Sequence, residues 1–171
     1  MILPSRMARD ESGAAAVEFA LILPFLVVMH LAVVEFVQAW QVRTRVSHVA
    51  ASLADVTSQA RSVSDADLND ILLAGDAMMR PYTVAPLGER ITSMTANAQG
   101  AVGVDWTASR NFGAAPAPVL PAKFLAPNDS IIVAEARYAY QPAIAVVLKG
   151  QITLRHTAYV RPRVGAKIEK R

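Results

Sequence analysis

A single carboxylate, Glu18, stands near the start of an apolar stretch that is almost unbroken from Ala20 to Val34, and Gly13 meets Ala14 just upstream of it. Placing a charged side chain at membrane depth costs about 2.5 to 3.5 kcal/mol on insertion scales, so such an acid is a functional hypothesis that needs a partner. The fitting partner is an amine. A cut between Gly13 and Ala14 would create an α-amino group, whose pKa of about 7.7 to 8.0 keeps it largely protonated at neutral pH. Within one chain that amine and Glu18 sit at i and i+4; among staggered helices, the amine of one copy can meet the glutamate of the next. Glu18 then aligns helices.

Other chemistry is poorly supported. His30, His48 and His156 fall in different elements and match none of the close spacings of a zinc site. The chain has no cysteine, which removes disulfides and thiolate ligands. There is no phosphate-cradling glycine loop, no nucleophile elbow and no Ser, His and Asp set with enzyme-like spacing. A non-enzyme without metal or cofactor is expected. Glu35, at the outer end of the apolar run, is expected to reach the interface beside Trp40, an aromatic belt residue. The basic tail, Arg161, Arg163, Lys167, Lys170 and Arg171, is interrupted by Pro162, Gly165 and Glu169, and reads as a solvated terminus rather than a nucleic-acid face.

These residues need a long helix to carry them. From Ala14 to Ala39 the chain approaches the about 20 residues that span a bilayer. Pro24 lies inside that span, where its missing N–H frees the carbonyl of Ala20 and invites a kink or flexible point. Beyond the span, Val42, Val46, Val49, Leu53 and Val56 recur at steps of four and three, the stripe of an amphipathic helix. A stop is expected near Ser62 to Ser64, followed by a capping box at Ser64 and Asp67 and a short helix from Asp65 to about Met79, ended by Pro81.

Further on the period changes to two. Ile91 to Asn97 pairs with a strand in which Val102, Val104, Trp106 and Ala108 face one way. Ile132 to Tyr140 and Ile152 to Val160 alternate likewise. Ser109 to Asp129, with Pro116, Pro118, Pro121 and Pro127, reads as an extended loop. The expected fold class is α+β, a long N-terminal helix, half transmembrane and half amphipathic, packed on a small antiparallel sheet.

With 171 residues, 53% of them apolar, the chain can hold one membrane helix and one small domain. The expected organisation is a leader over 1–13, a transmembrane helix over 14–40, an amphipathic extension over 41–64 and an α+β extracytoplasmic domain over 65–171. Removing the leader leaves the net charge at its formal +3, because Arg6 and Arg9 leave together with Asp10 and Glu11. Arg6 and Arg9 before the span are balanced by Arg43 and Arg45 after it, so positive charge says little about orientation. Two alternatives remain. One is a signal-anchored envelope protein that binds a secretion partner without polymerising. The other is a soluble periplasmic domain released after Ala39 by a cut behind the small residues of Val37-Gln38-Ala39.

The string Gly13-Ala14-Ala15-Ala16-Val17-Glu18-Phe19-Ala20-Leu21-Ile22-Leu23-Pro24, behind a short charged leader, resembles the prepilin processing site of the TadE-like minor pilins, or pseudopilins, of bacterial tight-adherence (Tad, or Flp) pili. The resemblance is densest over residues 10 to 40. It implies cleavage after Gly13 by a prepilin peptidase, a mature chain that starts at Ala14, and a role for Glu18 and Phe19 in assembly. The partners it implies are that peptidase, the major Flp-type pilin and other minor pilins, the inner-membrane assembly platform and membrane lipid, with no nucleic acid. It also implies a bacterial inner-membrane location, single-pass, with a cytoplasmic N-terminus and a periplasmic C-terminal domain, incorporated in the pilus or retained in the membrane.

Overall fold

The computed structural model describes residues 11–121 and 124–171. Two helices, α1 (Glu11–Ser58) and α2 (Asp65–Met79), accompany six strands: β1 (Ser62–Val63), β2 (Leu87–Ala96), β3 (Val102–Arg110), β4 (Ser130–Tyr140), β5 (Ile152–Val160) and β6 (Glu169–Lys170). The expected leader residues Arg6, Arg9 and Asp10 lie outside the described residues. The chain divides into two compact units. One is the part of α1 up to Gln38 together with residues 142–150; the other is residues 39–141 and 151–171.

In the larger unit an antiparallel sheet of order β3-β2-β4-β5 packs against the C-terminal half of α1. The architecture is the expected α+β one. Val42, Val46, Val49 and Leu53 are buried as the stripe requires, together with Ala50 and Ala54. Val56 departs from the expected stripe and is 50% exposed, its place taken by the buried Thr57. At 3.6 residues per turn the inward face drifts, and a further step of four from Leu53 carries it to Thr57. Opposite the helix, Ile91, Ile132, Ala134, Ala136, Tyr138 and Tyr140 complete the core. The other sheet face has its own cluster, in which Met94, Ala96, Ile131 and Val133 are covered by Leu125 and Leu120 of the proline-rich segment.

The expected common face of β3 is broken. Trp106 is buried, but Val102 and Val104 are 39% and 45% exposed. A bulge explains this: Ser93 pairs with Trp106 and Met94 with Val104, so the extra residue, Asp105, turns Val102 and Val104 onto the face of Met94 and Ala96. Asp105 accepts hydrogen bonds from Thr95 Oγ1 at 2.6 Å and Ser93 Oγ at 3.2 Å.

α2 begins where the capping box places it. The Ser64 hydroxyl accepts from the Asp67 N–H at 3.1 Å and the Ser64 N–H donates to Asp67 Oδ2 at 2.8 Å. That backbone bond, followed by the Ser64 hydroxyl, holds the Asp67 carboxyl below its ordinary pKa. α1 ends at Ser58, ahead of the stop expected near Ser62 to Ser64, because Ser62 and Val63 are drawn into a parallel pair with Glu169 and Lys170.

The basic side chains of the C-terminal tail are exposed, as expected of a solvated terminus, while one apolar residue pins its backbone to the sheet. Ile168 is buried and its carbonyl accepts from Trp106 Nε1 at 2.8 Å. Arg161 pairs with Asp129 at 3.1 Å and Lys170 with Asp65 at 2.6 Å, while Arg163 pairs with Asp55. Acids spread along the chain pair with Arg161, Arg163 and Lys170 at the surface, a pattern invisible to a local reading of charge.

Candidate functional site

The first site is defined by exposure. In the smaller unit every described side chain from Gly13 to His30 is exposed, including Phe19, Leu21 and Phe25 at 60%, 67% and 77%. Apart from the Ala20 carbonyl, whose usual N–H partner is missing at Pro24, stacked helical bonds satisfy the backbone here, so the surface presented is almost wholly hydrocarbon. An exposed apolar surface of this size marks a site of lipid or protein contact. The helix contains an 18-residue window of mean hydropathy 2.4 and is long and apolar enough to cross a membrane. Helical assignment runs unbroken through Pro24.

Gly13, Ala14, Glu18, Phe19 and Pro24 all lie on this one helix. Ala14 and Glu18 are a turn apart, on the same side. The Glu18 carboxylate makes no hydrogen bond or ion pair with the described residues. Gly13 has no conformational or packing reason to be glycine: it is helical, and a Cβ added there would meet nothing within 4 Å. Glycine in a helix costs about 0.8 to 1 kcal/mol relative to alanine, so at Gly13 that cost brings no local return.

A family model described as TadE-like protein matches residues 13–55. Over that segment the chain is similar to that family. The match begins at Gly13 and runs through Glu18, Pro24 and the buried stripe to Asp55, and it suggests involvement in tight-adherence pilus systems. No curated protein and no solved structure matches the chain.

Two further carboxylates have partners that sequence reasoning missed. Glu35 is 1% exposed, and instead of reaching solvent at an interface it is ringed by backbone. The N–H groups of Val146, Val147 and Leu148 donate to its oxygens at 2.5, 2.9 and 2.9 Å. A sequence signal did exist, in the apolar run Ile144-Ala145-Val146-Val147-Leu148, which carries none of the polar turn residues expected between two strands.

Glu89, in the larger unit, is fully buried where β2 passes under α2. Arg110 Nη2 reaches its Oε2 at 3.3 Å and also pairs with Asp76, while Glu89 Oε1 has no hydrogen-bond partner among the described residues. Burial pushes the Glu89 carboxyl up to about 7 against the opposing pull of Arg110. Its neighbour across the helix is Gly75, where an added Cβ would fall 1.7 Å from Glu89 Oε1. Among the described residues no group of three or more His, Cys, Asp or Glu converges as a metal site would require.

Proposed function

We propose that this chain is a prepilin cleaved after Gly13 by a prepilin peptidase, and that the mature form, starting at Ala14, acts as a minor pilin in the assembly of tight-adherence pili for surface adhesion. Its work is non-enzymatic. The observation that carries this reading is the exposed apolar helix from Gly13 to His30, with one carboxylate, unpartnered among the described residues, a turn from the proposed new amine. A helix of that kind buries itself first in lipid and then against other helices, and the second environment demands a cation for Glu18. The TadE-like match starting at Gly13 supports the same assignment, as does a glycine that the fold itself does not use.

In this scheme Gly13 is read by the peptidase and Ala14 supplies the amine. Glu18 neutralises the amine of a neighbouring subunit, Phe19 begins the packing surface, and Pro24 gives the helix a point at which to bend on leaving the bilayer. The neighbours are the major Flp-type pilin and other minor pilins, met at an inner-membrane platform with the N-terminus cytoplasmic and the larger unit periplasmic.

The N-terminal residue of the protein from its native host tests the cleavage, by intact mass and terminal peptide sequencing. A start at Ala14 is expected; a start at Trp40 or an intact Met1 overturns it. Glu18→Gln should leave cleavage and membrane insertion near normal while abolishing pili seen by electron microscopy. Normal pili in that variant would remove the assembly role from Glu18.

A further inference from the structure

The connection between β4 and β5 is apolar where a solvent-exposed turn would be polar. Residues 142–150 group with the N-terminal part of α1 rather than with the sheet they link. Ile144 and Val147 point outward, 40% and 55% exposed, and Lys149 is the segment's one charge. Ala145 adopts a left-handed backbone with φ of 56°, a region costly for a residue with a Cβ. Directly after it, three successive N–H groups converge on the Glu35 carboxylate. This is a backbone nest closed around an internal anion.

The helix position of that nest is informative. From Ala14 to Val34 the helix rises about 30 Å at 1.5 Å per residue, which matches a hydrocarbon core of about 30 Å. Glu35 is the next residue. A segment fastened to it therefore lies at the outer boundary of the hydrocarbon, level with Phe36 and Val37, which are 64% and 44% exposed. Irregular backbone is tolerated at membrane depth only when its polar groups are satisfied within the protein. Glu35 does that for residues 146–148, and the loop in return covers a carboxylate that would otherwise face lipid.

We propose that residues 142–150 form a second membrane-contacting element, an apolar loop clamped by Glu35 that inserts Ile144 and Val147 at the boundary between acyl chains and headgroups and sets Lys149 against anionic headgroups. The occupant of this face is lipid, and the inference rests on the membrane-anchored reading of α1. Continuity with the apolar helix surface argues for lipid over a protein partner, since both belong to one compact unit.

The absence of cysteine makes the test direct. The full chain carrying Val147→Cys is labelled with an environment-sensitive fluorophore and reconstituted in vesicles of phosphatidylethanolamine and phosphatidylglycerol, with Ile144→Cys as a second labelled position. Flotation with the vesicles comes first, and failure to float overturns the anchored reading itself. In floating protein, the label should be quenched several-fold more by brominated lipid than by aqueous iodide. Adding Glu35→Gln should reverse that ratio while flotation persists. Quenching by iodide alone overturns the loop proposal and leaves the anchor intact. Protection from both quenchers also overturns it, by placing protein, such as a second copy of this chain, on the loop. A ratio unchanged by Glu35→Gln at both labelled positions removes the clamp.

Discussion

The two halves of α1 are built from the same apolar residue types and meet opposite environments. Leu53 is 2% exposed and Leu21 is 67% exposed on one continuous helix. What separates them is the rest of the sequence: past Trp40 a polar face of Arg45, Ser47, His48, Ser52 and Asp55 restricts the apolar residues to a stripe, and the sheet covers that stripe. Before it, no polar face exists, so nothing in a small domain could bury the helix. The unburied half is the part long and apolar enough to cross a membrane.

Truncating a leucine in each half should break the symmetry most sharply. Leu53→Ala removes a core side chain and should lower the stability of the larger unit by about 2 to 5 kcal/mol, read as a fall in the urea midpoint of the detergent-solubilised full chain. Leu21→Ala should leave that midpoint unchanged. Equal losses would mean that Leu21 matters to the folded core as much as Leu53 does.

The glycines repeat the contrast at smaller scale. Gly75→Ala, which on helix propensity alone should help, places its Cβ against Glu89 and within 3.2 Å of Val49 Cγ1. We expect a net loss of about 1 to 3 kcal/mol from overpacking, partly recovered in the double variant with Glu89→Ala. Gly13→Ala meets no neighbour and should leave the midpoint of the larger unit unchanged. A Gly75→Ala variant more stable than the parent would show that Glu89 moves aside freely.

Much of the larger unit was legible because its signals are local. Ser64 and Asp67 announce the start of α2, alternation marks β4 and β5, and the stripe from Val42 to Leu53 marks the buried face. What escaped was set by distant partners. The bulge at Asp105 reverses Val102 and Val104 through a pairing with β2 that alternation alone cannot express. Within the exposed basic tail, Ile168 is buried and its carbonyl accepts from Trp106, far away in sequence. Of the two acids in the apolar part of α1, Glu18 stands out through the absence of polar neighbours, and it has no partner among the described residues. Glu35 gave the same local signal, but its partners are backbone groups more than a hundred residues on, which no side-chain pattern records.

The smallest effect we expect is a pH dependence of stability set by the buried Glu89. Glu89 holds its proton up to about 7 in the folded state, against an ordinary value of 4.5. Between those values the folded chain carries more protons than the unfolded one, so stability should fall as pH rises from about 4.5 to about 7. Asp67, held below its ordinary 3.8, titrates beneath that window and does not confuse it. The neighbouring Asp76 and Arg110 side chains are 27% and 32% exposed, and solvent screening through them keeps the slope modest. Urea midpoints of the full chain at about pH 5 and about pH 7.5 should therefore differ in the parent, and the difference should shrink in Glu89→Gln. If Glu89→Gln keeps the full slope, the proton belongs to another group, and the buried acid under Gly75 is ionised by Arg110 throughout.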